Sequence, residues 1–322
     1  MRRRCGELSA ASLRGVQLSP PASGFLGAPI ETDPSRIDAD VAILGVPLGW
    51  PYPRPGSSAG CSEGPAAIRR GAERLRRFRG NWDFELGGPM LPLDSPRLVD
   101  AGDVPGDPAD GAGNSEAITA AVAAILERGA VPVCIGGDDS VPIPILRAYA
   151  DRGPLTVLQV DAHLDFRDEV QGVREGYSSP MRRASEMKHV ARIVQVGLRG
   201  TGSARPSDVA DARAAGNLLV TAAEVGERGI GWVLEQLPAD ASVFVSFDCD
   251  GLDPSLMPAV SAPAPGGLTY TEASQLVGGI GERLVGAVLT EYVPALDASG
   301  HSALVAVRLL VRLIAGLGRA SA

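Results

Sequence analysis

Three short acidic clusters contain the residues of this chain whose types and spacing could do chemistry. They read GGDDS (136–140), DAHLD (161–165) and DCDGLDP (248–254). Each cluster directly follows an apolar run typical of a buried strand. Because the carboxyl ends of parallel strands lie at one edge of a sheet, we expect the clusters to meet there. Converging carboxylates and one imidazole predict a site for divalent metal ions, most simply two of them.

The spacing inside the clusters supports this interpretation. Asp161, His163 and Asp165 alternate, as do Asp248 and Asp250, so each set can point to one side of an extended segment. Carboxylates with an imidazole suit Mn²⁺ or a similar ion. Two such ions, about 3.5–4 Å apart, can activate a water between them. The simpler alternative, aspartates that cap the following helices, accounts for one residue per cluster but not for the alternating pairs.

The segments around the clusters alternate between strand and helix. Strands are predicted at 41–46, 97–101, 131–135, 155–160, 192–197, 218–221, 242–247 and 286–292. Helices are predicted at 66–79, 115–128, 143–151, 207–215, 231–237, 270–283 and 302–317. Continuous apolar strands separated by helices predict an α/β fold, with a mostly parallel sheet of about eight strands covered on both faces. We expect one domain over residues 38–322, after an irregular N-terminal arm over residues 1–37.

Composition excludes several other classes of protein. A formal net charge of −8 argues against a nucleic-acid partner, which needs clustered Lys and Arg. The chain has no apolar run long enough for a membrane span. The basic start (residues 2–4) is not followed by the apolar core of a signal peptide. Four cysteines without CxxC spacing favour a reducing compartment, so we expect a cytoplasmic protein.

Further segments identify a family resemblance. In order, the chain carries GVP (45–47), EGPAAIR (63–69), the three acidic clusters, GGL (266–268) and EYVPALD (291–297). With these it resembles the ureohydrolase family (arginases, agmatinases and related amidinohydrolases), and within it the agmatinase-like branch, over residues 38 to 315. The resemblance implies an arginase-like three-layer sandwich, two Mn²⁺ ions per subunit and assembly as homo-trimers or homo-hexamers. It also implies hydrolysis of a small guanidino substrate to urea and an amine.

The same resemblance assigns roles by position. The implied metal ligands are Asp139, Asp161, His163, Asp165, Asp248 and Asp250. One ion would be held by Asp139, Asp161, Asp165 and Asp248, and the other by Asp161, His163, Asp248 and Asp250. Asp161 and Asp248 would bridge the ions. Glu291 matches the carboxylate that pairs with the substrate guanidinium, so Glu291, Asp161 and His163 are the expected catalytic residues. Asp138 and Asp253 are expected to cap turns or support the ligands.

Two departures from the family pattern bear on activity. The family's first cluster commonly reads Gly-Gly-Asp-His-Ser, and here Asp139 occupies the histidine position. The added negative charge either makes the bound metal ion a poorer Lewis acid or leaves that metal position weakly occupied or empty. The loop GYSSPMRR (176–183) lacks the family's Ser-His-Gly stretch, whose histidine is thought to shuttle protons. Loss of a positioned acid–base group costs about 10²- to 10⁴-fold in rate. His301, at the start of the last predicted helix, is a possible substitute.

These observations favour one function and leave two others open. The first is a metal-dependent amidinohydrolase that releases urea when metal-bound hydroxide attacks a guanidino carbon. The second is a degenerate family member that binds a ligand or partner with little or no turnover. The third is hydrolysis of another C–N bond on the same two-metal scaffold.

Overall fold

Ten strands form the two sheets of the computed structural model, which describes residues 16–53, 60–91 and 96–318. Their bounds are Val41–Val46 (β1), Trp82–Asp83 (β2), Gly88–Pro89 (β3), Leu98–Asp103 (β4), Val131–Gly136 (β5), Leu155–Val160 (β6), Val190–Leu198 (β7), Leu218–Thr221 (β8), Ser242–Asp248 (β9) and Leu284–Thr290 (β10). β2 and β3 pair as a small antiparallel ribbon. The other eight strands form one parallel sheet in the order β4-β1-β5-β10-β9-β6-β7-β8.

In the described residues, eight α-helices connect or follow these strands. Their bounds are Gly64–Arg76 (α1), Gly111–Glu127 (α2), Pro142–Arg147 (α3), Pro180–Ser185 (α4), Pro206–Ala214 (α5), Ala222–Glu235 (α6), Tyr270–Gly278 (α7) and His301–Gly316 (α8). Single 3₁₀ turns occur at Phe25–Gly27, Pro34–Arg36, Cys61–Glu63, Cys249–Gly251, Gly281–Arg283 and Pro294–Leu296. Within the described ranges, no helix has the length and apolar character needed to cross a bilayer.

The two faces of the main sheet are buried under separate layers of helices. Side chains of a strand alternate between its faces, and in β1 Val41 and Ile43 join one core while Ala42 and Leu44 join the other. The first core includes α1, α6, α7 and α8, and the second includes α2, α3, α4 and α5. The predicted three-layer α/β sandwich with a parallel eight-stranded sheet is therefore confirmed.

Most predicted element bounds are within a few residues of the observed ones, and the differences have local causes. β10 ends at Thr290 rather than 292 because Glu291 has a left-handed backbone (φ 62°) that cannot continue a strand. α6 begins at Ala222 rather than 231, because Thr221 and Glu224 form a capping box, and it is interrupted at Gly229 (φ 78°). The helix predicted at 270–283 ends at Gly278, where a glycine-rich stretch begins. α4 and the β2–β3 ribbon were not predicted.

Candidate metal centre

The acidic clusters and Glu291 follow four strands that are adjacent in the sheet. Those strands are β5, β10, β9 and β6. Because all four are parallel, their carboxyl ends lie side by side. The last of them in the chain, β10, is inserted between β5 and β9, which places Glu291 between the first and third clusters. The structure thus brings together segments separated by more than a hundred residues in sequence.

The side chains of these segments line a cavity of about 430 Å³. Its wall carries one imidazole, His163, and five carboxylates: Asp139, Asp165, Asp248, Asp250 and Glu291. Small and hydroxyl-bearing residues, with one phenol, form the rest of the described wall. The cavity therefore combines a strongly acidic floor with a neutral, polar rim.

Two groups of ligand atoms in this region are spaced to hold metal ions. One is formed by Asp161, His163 and Asp250, and the other by Asp139, Asp161 and Asp165. Within each group the ligand atoms lie within 4.8 Å of one another, and Asp161 belongs to both. These groups correspond to the two ligand sets implied by the family resemblance, apart from Asp248. That residue lines the same cavity but belongs to neither group, and its Oδ1 accepts the backbone N–H of Asp250 at 2.7 Å.

Hydrogen bonds orient the shared carboxylate of Asp161. Its Oδ1 accepts the backbone N–H of His163 at 2.5 Å, and its Oδ2 accepts Nε2 of Gln159 at 2.7 Å. The Gln159 amide is held in turn by Gln195, whose Nε2 donates to Gln159 Oε1 at 2.6 Å. Asn217 continues this chain by donating to Gln195 Oε1. Sequence reasoning missed these buried amides, although a glutamine inside each of two apolar strands, β6 and β7, was the available signal.

Asp139 is positioned by residues at the carboxyl end of β10. Thr290 Oγ1 donates to Asp139 Oδ1 at 2.7 Å, while the backbone N–H of Asp139 donates to Glu291 Oε1 at 2.8 Å. The other carboxylate oxygen, Oδ2, is buried and accepts no hydrogen bond from any described residue. An unsatisfied buried carboxylate oxygen is costly, so a cation beside this atom would stabilise it.

The electrostatics of the cluster favour a bound cation. Burial is the main cause, and repulsion from neighbouring carboxylates the second, that raises the pKa values of Asp139, Asp165 and Asp248 well above their usual range. The same causes raise the pKa of Asp161 to about 6. Hydrogen bonds to Asp161 and Asp250 raise the pKa of His163 to about 10. Buried carboxylates repel one another unless a cation compensates them, and divalent ions suit this oxygen-rich donor set. The residues present therefore fit a metal centre.

Glu291 has a strained backbone and an anchored carboxylate. Its φ of 62° is unusual for a residue with a Cβ atom, and its N–H donates to the carbonyl oxygen of Gly137 at 2.9 Å. Its Oε2 accepts the hydroxyl of Ser261 at 2.7 Å, and Oε1 accepts the N–H of Asp139. Burial, then Asp138, raises the pKa of Glu291 to about 7. Strain of this kind concentrates at functional sites. Sequence reasoning did not identify Ser261.

The remaining expected residues take supporting or peripheral places. Asp138 Oδ1 accepts the hydroxyl of Ser140 at 2.5 Å, and Asp253 Oδ2 accepts the N–H of Gly266 at 2.8 Å. Both therefore stabilise loops beside the ligands. His301 begins α8, is exposed and is not part of the described cavity wall. In the loop without the family histidine, Tyr177 lines the cavity and packs edge-on against Tyr52, with ring centroids 4.6 Å apart.

Arg199 holds the backbone of the third cluster and was not expected from the sequence. Its guanidinium donates to the carbonyl oxygens of Asp250 at 2.6 Å and Leu252 at 3.0 Å, and to that of Ala264 at 2.7 Å. It also donates to the carbonyl oxygens of Gly197 and Gly251. One side chain therefore joins the turn that carries Asp250 to the loop that carries Ser261.

Arg199→Leu is expected to lower the free energy of unfolding by about 2–3 kcal/mol, because several carbonyls lose a charged donor. It should also weaken metal binding, since the turn at Asp250 loses its support. The matched control is Arg283→Leu, which removes a guanidinium bonded to carbonyls at Pro238 and Gly279, outside the cavity. Denaturant titration and calorimetric metal titration of both variants measure this. Equal metal affinity in the two variants would show that Arg199 has no influence on the centre.

The parallel sheet and its acidic cavity define a class of α/β protein with a centre suited to divalent metal ions. The comparisons with known proteins narrow this class. The Arginase family model matches residues 39–316. The chain belongs to the arginase family.

Several relatives have similar sequence identities to this chain. The chain is 32% identical to the mitochondrial agmatinase of Gallus gallus, over 90% of this chain and 84% of that protein. It is also 32% identical to a guanidinopropionase of Pseudomonas aeruginosa, over 92% of each. A crystal structure of Trypanosoma cruzi formiminoglutamase with Mn²⁺ is similar at a TM-score of 0.77 and 30% identity, covering 87% of this chain and 93% of that one.

Proposed function

We propose that this protein is a metal-dependent amidinohydrolase that releases urea from a guanidino compound. One observation carries the proposal: two ligand groups share Asp161 in a cavity that also contains the buried carboxylate of Glu291. The first arrangement suits two adjacent cations, and the second suits a planar guanidinium. Membership of the arginase family and the names of the relatives support the same conclusion.

The metal ions would be held by the two groups already described, with Asp161 shared. We keep Asp248 as a second shared ligand, because it lies in the same cavity. A donor set of carboxylates and one imidazole favours Mn²⁺, and the related formiminoglutamase was solved with that ion. When bound, two such ions supply an activated water and polarise the group that it attacks.

The chain's own residues would bind and orient the substrate. Oε1 of Glu291 accepts the N–H of Asp139 and keeps a lone pair for a guanidinium N–H, whereas Oε2 accepts the hydroxyl of Ser261 at 2.7 Å and the thiol of Cys61 at 3.5 Å. Ser261 and the N–H of Asp139 thereby set the plane of this carboxylate. The cation would be held with its carbon over the acidic floor, where the carboxylates of both ligand groups lie. Burial of Glu291 strengthens the contact by excluding water.

The alternative of a degenerate, non-catalytic family member is not supported by the comparisons. The ligand groups are complete enough to bind ions despite Asp139, whose Oδ2 is free to coordinate. The two departures from the family pattern, Asp139 and the loop without a histidine, predict slower turnover. Within the described cavity wall the sole histidine is His163, so no second imidazole is placed to move protons. The expected cytoplasmic location and homo-trimeric or homo-hexameric assembly stay predictions.

Urea release after Mn²⁺ loading tests the proposal. The purified protein would be stripped with a chelator, reloaded, assayed for metal content and incubated with a panel of guanidino compounds. We expect close to two ions per subunit and urea from at least one compound. One ion or none, with no urea across the panel, would instead support a binding function. Two ions with cleavage of a different C–N bond would support the third hypothesis.

Metal removal is also expected to destabilise the protein. The stripped protein keeps mutually repelling buried carboxylates, whereas each ion that binds only to the folded state stabilises it by about 2.7 kcal/mol at a free concentration one hundred times its Kd. Differential scanning calorimetry with chelator and with Mn²⁺ measures the shift in Tm, and Mg²⁺ serves as a comparison ion. An unchanged Tm on Mn²⁺ addition would argue against a metal centre.

Asp139→His is expected to change which metal the protein prefers. The substitution replaces an anionic oxygen ligand with a neutral imidazole, so affinity for Zn²⁺ or Co²⁺ should rise relative to Mn²⁺. Competition titrations with these ions measure the preference. Asp151→His is the matched control, since it makes the same chemical change at an exposed position. If metal content, preference and urea release all equal those of the unaltered protein, Asp139 is not a ligand.

A further inference from the structure

On the basis of the proposed function, we infer that the phenol of Tyr177 donates a proton to the amine as it leaves the guanidino carbon. An alkylamine is a strong base, so its nitrogen has to gain a proton before or while the C–N bond breaks. A positioned side chain is the usual source of such a proton in an enzyme. Tyr177 has both the place and the anchoring for this role.

The histidines of this chain are not placed to donate that proton. The chain has three of them, and the structure describes all three. His163 belongs to a ligand group, with its Nδ1 3.1 Å from Asp250 Oδ2. His189 directly precedes β7, at the amino edge of the sheet, and its Nε2 lies 2.9 Å from the carbonyl oxygen of Leu146. His301 is exposed at the start of α8.

Tyr177 lies in the wall of the cavity that contains the ligand groups. The same wall carries His163 from one group, Asp139 and Asp165 from the other, and Glu291. Tyr177 is half-buried, so its ring is part of the wall and stays accessible from the cavity. A guanidino compound held by Glu291 over the ligands would therefore react in a space that the phenol borders.

The loop that carries Tyr177 begins and ends at a metal-ligand candidate. Asp165 is the last residue of the second cluster, and its carbonyl oxygen accepts the N–H groups of Met181 at 3.1 Å and Arg182 at 3.3 Å, in the first turn of α4. Inside the loop, the carbonyl oxygen of Gly176 accepts the N–H of Ser179 at 3.0 Å. These bonds hold the loop in a fixed position beside the centre.

Tyr52 fixes the ring of Tyr177 within this loop. The two rings pack edge-on with centroids 4.6 Å apart, and Tyr52 Oη accepts the N–H of Ser178 at 3.3 Å. Only a glycine fits at position 176, because a Cβ atom on Gly176 would lie 2.2 Å from Cζ of Tyr52. Anchoring of this kind suits a proton donor, which has to stay within hydrogen-bond reach of the reacting atom.

A phenol is well matched to an amine leaving group. An ordinary phenol has a pKa of about 10, close to the value of about 10.4 for an alkylammonium, so neither side holds the proton strongly. In the proposed step the phenolic proton moves to the nitrogen while the C–N bond breaks and its electron pair stays on that nitrogen. The hydroxyl that water has added to the carbon loses its proton to solvent as the carbonyl of urea forms. The phenolate then regains a proton from solvent.

Tyr177→Phe tests the inference with two substrates that differ in their leaving group. The Mn²⁺-loaded protein would be assayed with the panel compound that releases urea fastest and with its analogue in which oxygen replaces the methylene beside the guanidino nitrogen. For 4-guanidinobutylamine this analogue is 3-(guanidinooxy)propylamine. The alkoxyamine that leaves is a far weaker base and needs little help from an acid. We expect kcat to fall about 100-fold or more for the alkyl compound and less than about tenfold for its oxygen analogue, at similar KM.

The controls separate proton donation from a structural role. Metal content and thermal unfolding show whether the variant is loaded and folded. Tyr270→Phe is the matched control, since it removes a phenolic oxygen that donates to Glu85, outside the described cavity wall. An equal fall in kcat for both substrates of Tyr177→Phe, or an unchanged kcat, would overturn the inference and leave the proposed function intact. No urea from the unaltered protein with any compound would overturn both.

An isosteric replacement makes the test independent of the folding of Tyr177→Phe. 3-Fluorotyrosine incorporated at position 177 keeps the size of the ring and makes the phenol more acidic. Because the donor has to be protonated to act, the fall of kcat at high pH should begin at a lower pH for the alkyl compound. A fall at the same pH as in the unaltered protein would show that the phenol of Tyr177 is not the donor.

Discussion

Asp161→Asn is expected to abolish urea release and to weaken the binding of both metal ions. Asp161 is the one residue common to the two ligand groups, and it is fully buried. Loss of a residue that merely orients a ligand costs about 10- to 100-fold in metal affinity, so loss of a shared ligand should cost at least that for each ion. Metal content after dialysis and calorimetric Mn²⁺ titration measure the effect.

Asp165→Asn provides the control for Asp161→Asn. Asp165 belongs to one ligand group, so its variant should lose one ion and retain much of the other. Both substitutions are nearly isosteric and remove one buried negative charge, so the metal-free variants should fold, although an amide at position 161 accepts only one of the two hydrogen bonds that the carboxylate accepts there. If Asp161→Asn folds normally and binds two ions with the parent's affinity, Asp161 does not bridge.

Glu291→Gln is expected to keep both metal ions and to lose substrate binding. Glu291 is in neither ligand group, and its carboxylate, which lines the cavity, is the proposed acceptor of the guanidinium. Truncating one partner of a buried charge pair costs about 2–5 kcal/mol, so kcat/KM should fall by about 30-fold to several thousand-fold. Steady-state urea release together with metal analysis separates this effect from metal loss.

Ser261→Ala is a milder variant that tests the same contact as Glu291→Gln. It removes the hydroxyl that donates to Glu291 Oε2 but leaves the carboxylate and its charge. We expect a fall in kcat/KM of about tenfold, the equivalent of one ordinary hydrogen bond. Parent-like kcat/KM in Glu291→Gln, with metal content unchanged, would remove Glu291 from the substrate site.

The chemistry of the centre could be predicted from the sequence because its residues lie close together within each cluster. The acidic residues of each cluster lie within a few positions of one another and directly follow an apolar strand. Strand bounds were also readable, since buried parallel strands are continuous apolar runs. The groups that orient the ligands could not be predicted in this way. Gln195 and Thr290 act on partners in other strands or clusters, and their positions in sequence do not indicate those partners. Gln159 is only two residues from its partner Asp161, but it is held in place by Gln195 from the neighbouring strand.

The sequence by itself determined the α/β class, the acidic clusters and the change of charge at Asp139. Only the tertiary structure decided which clusters are neighbours and what lies between them. β10 pairs with β5 and β9 in the middle of the sheet, although it is the last strand in the chain. Strands that are apolar on both faces carry little local information about their partners. Their order follows from the packing of the whole sheet, and that order places Glu291 beside Asp139 and makes one cavity of three clusters.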